Sequence, residues 1–87
     1  MRDDGEGAAA KDEIVLDLVG LNCPLPVLKS RKALAGLTQG ARLRVLASDP
    51  MSAIDLPHMC AQDGHRLLAQ SREGDRLIFV IERGGVS

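Results

Sequence analysis

"LVGLNCPLPVLKSRKAL", Leu18 to Leu34, is the stretch on which the fold turns. It leaves a strand-like pattern, passes through Gly20-Leu21-Asn22, and enters a helical pattern, with Cys23 at the junction ahead of Pro24-Leu25-Pro26. Proline near a helix start loses nothing, because the first amide groups of a helix have no internal partner. Pro24 and Pro26 therefore predict where a helix begins. Val27, Ser30, Leu34 and Leu37 recur three or four apart and carry it to about Leu37, while Lys29, Arg31 and Lys32 lie off that stripe. Gly36 and Gly40 supply the stop.

Working outward, "IVLDLVG" from Ile14 reads as a strand with Ile14, Leu16 and Leu18 on one face. "ARLRVLAS" reads as a second, setting Leu43, Val45 and Ala47 against Arg42, Arg44 and Leu46. In "SDPMSAIDLPHMCAQDG", Asp49 is a candidate cap and Pro50 a candidate first helical residue. Pro57 inside this pattern predicts a short first turn and a restart, with Asp55 as a second candidate cap, because an interior proline costs roughly 3 kcal/mol. Gly64 ends the pattern. "HRLLAQS" and "RLIFVIE", joined by "REGD", predict an antiparallel hairpin.

The expected architecture is an α+β, two-layer sandwich, β-α-β-α-β-β. It has a mixed four-stranded sheet with both helices on one face, its first two strands parallel through a crossover. Residues 1–13, polar and rich in small side chains, are expected to form a disordered leader; 14–84 form the domain and 85–87 a tail. "LIFVI" is apolar on both faces, so the open side of the sheet is a candidate self-association surface, giving a monomer or weak homodimer.

Composition excludes several function classes. The 87 residues contain one aromatic side chain, Phe79, and eleven basic against twelve acidic groups, for a net charge of -1. That argues against base-stacking or charge-driven nucleic-acid binding, so no direct nucleic-acid contact is expected. No apolar run reaches membrane-spanning length and no signal-peptide pattern opens the chain. The expected compartment is the reducing cytoplasm, where thiols stay free.

Cys23 has two readings: a small buried hydrophobe, or a reactive thiol whose sulfur is favoured as thiolate by the helix N-terminus. Hydrolytic catalysis lacks an orienting partner for His58 or His65, and a Cys-x-x-Cys pair is ruled out by Pro26. What a lone thiolate can do is accept a sulfur atom and hand it on as a persulfide. Cys60 is read as a core residue, with an auxiliary thiol as the alternative. A metal site from Cys23, Cys60, His58 and His65 lacks the usual paired spacing, so no metal or cofactor is expected.

"GLNCPLPVLKSRKAL" and "SDPMSAIDLPHMC" together resemble the two blocks of the TusA/SirA-like sulfur-carrier family: Cys-Pro-x-Pro opening the first helix, then Asp-Pro, Asp-Leu-Pro and a cysteine. The resemblance covers Ile14 to about Gly84. It implies a two-layer sandwich and a persulfide on Cys23, framed by Pro24 and Pro26. It further implies a cysteine desulfurase or rhodanese-type donor and another sulfur carrier as acceptor, in tRNA thiolation, molybdenum-cofactor synthesis, sulfur oxidation or thiosulfate use. Whether a carrier of this kind counts as an enzyme, a sulfurtransferase acting with partner proteins, is open. Leu25 departs from the acidic residue of the tRNA-thiolation pattern, which puts partner identity in question. Leu25, Lys29, Arg31 and Lys32 are the partner-docking candidates. The rival reading is a regulatory or protein-binding module, transporter- or redox-linked, in which Cys23 carries no sulfur.

Overall fold

Strand β1, Glu13–Leu18, pairs in parallel with β2, Arg42–Ala47, placing Leu16 against Val45 and Leu18 against Ala47. Between them runs helix α1, Leu25–Ala35. Helix α2, Ser52–Asp63, leads to β3, Arg66–Glu73, and a tight turn to β4, Arg76–Glu82. β4 inserts between β2 and β3, antiparallel to both, so the sheet order is β1-β2-β4-β3. This is the predicted α+β sandwich with its mixed sheet. The structure, a computed structural model, describes residues 13–85. The expected leader lies outside them except for Glu13, which instead opens β1, and the expected tail except for Gly85.

The alternation read from the sequence decides the packing. Leu43, Val45 and Ala47 of β2 and Leu77, Phe79 and Ile81 of β4 are buried on one face of the sheet. Leu34 of α1 and Leu56, Met59 and Cys60 of α2 close over them. The helical stripe is offset from the expected one: Pro26, Ser30 and Leu34 are buried, while Val27 and Leu37 pack at the margin of the core. The opposite face of the sheet carries Val15, Leu46, Ile78 and Val80 beside Arg44, whose Nε donates to Glu13 Oε2 at 3.1 Å.

Helix α2 corrects the expectation of a restart. It is continuous through Pro57, and Asp55 is a residue of its first turn rather than a cap. The missing Pro57 N–H would have served the carbonyl of Ala53, four residues back. Gln70 of β3 offers a substitute, its Nε2 donating to that carbonyl at 3.4 Å. This reach follows from the irregularity between Leu67 and Ala69, after which Gln70 stands opposite Phe79 on the helix-facing side of the sheet. Gly64 ends α2 in the left-handed region at φ 79°, where His65 N–H donates to Cys60 O at 2.9 Å, as a glycine cap does. Gly84 passes so close to this cap that a Cβ there would land on the Gly64 carbonyl.

Phe79, the sole aromatic side chain, is fully buried on the central β4. Phe79→Ala leaves a void that aliphatic neighbours only partly fill, and is expected to cost about 3–5 kcal/mol in urea-induced unfolding.

Candidate functional site

Because β1 and β2 are parallel, the loops leaving them emerge at the same edge of the sheet, and each loop starts a helix. The N-termini of α1 and α2 therefore meet, and Cys23 sits at the meeting point, exposed. Local bonds shape the loop that holds it. Leu21 N–H donates to Leu18 O at 3.1 Å, Gly20 N–H to Ser48 Oγ at 2.8 Å, and Leu25 N–H to Asn22 O at 2.9 Å. Pro24 takes the cap position, its carbonyl accepting the Leu28 N–H at 3.1 Å, and Pro26 occupies the second helical position. The helix thus begins at Leu25, directly after Pro24, and the sulfur stays outside it.

Two carboxylates from the start of α2 hold the cysteine. Asp49 Oδ2 accepts the Cys23 backbone N–H at 2.6 Å while Oδ1 accepts the Met51 N–H at 3.0 Å. Asp55 Oδ2 accepts the Cys23 thiol proton, with Sγ 3.2 Å away. The expected capping role of Asp49 is met one turn ahead of the regular helix, whose assigned cap, Met51, makes no side-chain bond of this kind. Its second bond, to the cysteine, was not foreseen.

These contacts reverse the expected electrostatics. The thiol of Cys23 is raised above its ordinary value of 9.0, first by the hydrogen bond to Asp55, then by partial loss of solvent and the charges of Asp55 and Asp49. The start of α1 also offers the sulfur few N–H groups. Pro24 and Pro26 have no N–H to offer an anion, and the Leu25 N–H is spent on Asn22. The two N–H bonds that Asp49 receives hold its own carboxyl below the usual 3.8.

Cys23 also lines a groove of about 360 Å³ between the helices, with Pro24, Val27, Leu28, Arg31, Asp55, His58, Met59 and Gln62. Leu25 is 42% exposed at the first position of α1, and Met51 and Ile54 are exposed at the start of α2. The four docking candidates divide. Arg31 lines the Cys23 groove, donating from Nε to Asp63 Oδ2 at 2.6 Å. Lys29 and Lys32 line a different groove with Leu16, Ala33 and Leu37, and Leu25 lies in neither. Cys60 is in the core, 2% exposed, and burial pushes its thiol up to about 11. Among the described residues, no three His, Cys, Asp or Glu side chains gather as a metal site would require.

Sequence reasoning missed Asp55 as a contact of the sulfur and His58, Met59 and Gln62 as walls of its groove. The signal was present in the parallel strand pair, which brings the starts of both helices to one edge.

Asp49→Ala is expected to lower the urea midpoint at neutral pH. A depressed carboxyl stabilises above 3.8 and loses that contribution as pH falls through its folded value, so the difference from wild type should vanish in strong acid. Unfolding measured across that range checks it. Asp55→Asn removes the main cause of the raised thiol, so the midpoint of the pH profile for Cys23 alkylation by iodoacetamide should move down.

Comparison with known proteins finds relatives along most of the chain. A family model described as Sulfurtransferase TusA matches residues 14–83. The chain is 40% identical over 68 residues to the sulfur carrier protein TusA of Allochromatium vinosum, covering 78% of this chain and 90% of that one. It is 42% identical over 74 residues to the putative sulfur carrier protein YrkI of Bacillus subtilis, covering 85% and 99% respectively. The crystal structure of a SirA-like protein from Desulfitobacterium hafniense is similar at a TM-score of 0.72 and 28% identity, over 80% of this chain and 96% of that one.

Proposed function

The chain belongs to the sulfurtransferase TusA family, and we propose that it is a sulfur carrier holding its cargo as a persulfide on Cys23. The observation that carries this reading is the placement of Cys23: an exposed thiol at the joint of two helix starts, beside an open groove. Cys60, the other thiol, lies in the core.

Loading is thiol–persulfide exchange. The Cys23 sulfur attacks the outer sulfur of a donor R–S–SH, an Sγ–S bond forms, and the donor S–S bond breaks with its electron pair going to R–S. The Cys23 proton ends on the departing donor thiol, leaving Cys23–S–SH and R–SH. Unloading is the same exchange in reverse roles, an acceptor thiolate attacking the outer sulfur on Cys23. No net oxidation or reduction occurs, so the chemistry needs no resident cofactor.

The donor, a cysteine desulfurase or rhodanese-type protein, and the acceptor, another carrier, dock on the surface around the sulfur. Leu28 of α1 lines the groove with Cys23, and Leu25 of α1, Met51 just before α2 and Ile54 in its first turn are exposed at the two helix starts. An apolar surface of this kind rewards burial by a partner. Arg31 lines the groove beside this surface, whereas Lys29 and Lys32 would meet only a partner wrapping around α1. Both cysteines are free, as a carrier working in the reducing cytoplasm requires. Among the described residues no helix is long and apolar enough to cross a membrane.

Incubation with a small-molecule persulfide, followed by intact mass measurement, is expected to add the mass of one sulfur atom. The addition should be lost in Cys23→Ser and kept in Cys60→Ser. A folded wild-type protein that gains no sulfur would overturn the reading.

A further inference from the structure

We infer that Asp55 selects the partners of Cys23, retaining the sulfur's proton in the free carrier and releasing it when a partner presents its reactive sulfur beside a cation. The inference rests on the persulfide reading above and adds to it a charge requirement on the donor.

The geometry sets up the requirement. Exchange needs Cys23 as a thiolate or losing its proton during attack. With Sγ 3.2 Å from Asp55 Oδ2, deprotonation in place would set two anions against each other. Asp49, bonded to the Cys23 N–H, adds a second negative group from the loop before α2. The raised thiol has these same causes, the Asp55 hydrogen bond foremost. Helix α1 offers little relief. Its prolines lack N–H groups, and Arg31, which lines the same groove, donates from Nε and Nη2 to Asp63. His58 is the remaining titratable wall of the groove.

The missing positive charge must therefore come from outside. A lysine or arginine beside the partner's persulfide pairs with Asp55 and removes the penalty on the thiolate. During attack the Sγ proton ends on the departing donor sulfur, giving Cys23–S–SH and R–SH, while Asp55 stays a carboxylate paired with the partner's cation. A partner with an acidic flank adds to the repulsion and reacts slowly. Since the whole chain carries a formal net charge of only -1, this discrimination is local rather than a long-range attraction.

The test uses two synthetic peptides with one cysteine persulfide each, identical except that lysines flank the sulfur in one and glutamates in the other. Single-turnover loading of the reduced full-length protein is followed by intact mass. Wild type is expected to load from the lysine peptide about tenfold faster than from the glutamate peptide. In Asp55→Asn the ratio should fall towards one, largely because the glutamate peptide speeds up. Asp55→Glu should restore much of the preference. Glu82→Gln, which removes one negative charge at the other end of the sheet, should leave it unchanged. Equal loading from both peptides by wild type, or an unaltered ratio in Asp55→Asn, overturns the inference while the carrier reading stands. No loading from either peptide by folded protein overturns both.

Discussion

The carboxylate of Asp49 ties the molecule's working end together. One oxygen accepts the Met51 N–H as α2 begins, and the other accepts the Cys23 N–H as the chain approaches α1. Leu21 and Ala53 anchor the two segments on the core, Gly20 N–H donates across to Ser48 Oγ, and the two-ended bond of Asp49 fixes the exposed Cys23 and Met51 between those anchors. The bond in turn depends on the parallel pairing of β1 and β2, which delivers both loops to one edge of the sheet. Fixing the Cys23 backbone also sets the distance at which Asp55, two turns of chain further on, meets the sulfur. Sheet topology, helix start and thiol chemistry are thus linked through a single side chain.

The prolines around the sulfur have a cost as well as a use. They start α1 after the cysteine and keep the thiol out of the helical ladder, which a residue with an N–H would not enforce. The same lack of N–H groups removes donors that stabilise an anion at an ordinary helix start. An exposed thiolate is the form that oxidants and stray electrophiles attack. A sulfur held as a thiol by a neighbouring acid is protected in the free protein, at the expense of reactivity that must be recovered during transfer.

Much of the fold was legible because its signals were local and mutually consistent. Alternation in Leu43–Ala47 and the apolar run Leu77–Ile81 located two central strands, and "REGD" fixed the hairpin between β3 and β4. Pro57 was misleading because the sequence shows the lost hydrogen bond but not its remedy. The Gln70 side chain that reaches the Ala53 carbonyl comes from another strand, and only after a register irregularity. Cys23 stood out from its neighbours in the chain, yet its electrostatics did not. The helix start that argues for a thiolate lies next to it in sequence, whereas Asp55 is 32 residues away. The docking candidates Lys29, Arg31 and Lys32 are close in sequence, but the turn of α1 sends the two lysines to one groove and the arginine to another.

The two thiols of this chain show why the cause of a perturbation matters more than its direction. Both titrate above the ordinary value. For Cys60 the leading cause is burial beneath the core, which no docking event undoes without opening the fold. For Cys23 it is one hydrogen bond to a half-buried carboxylate on the wall of an open groove, and a cation arriving at that carboxylate can cancel it without moving the backbone. A penalty of the first kind silences a cysteine permanently. A penalty of the second kind makes its reactivity conditional on contact, and conditional reactivity is what separates a carrier that delivers sulfur from a thiol that merely loses it.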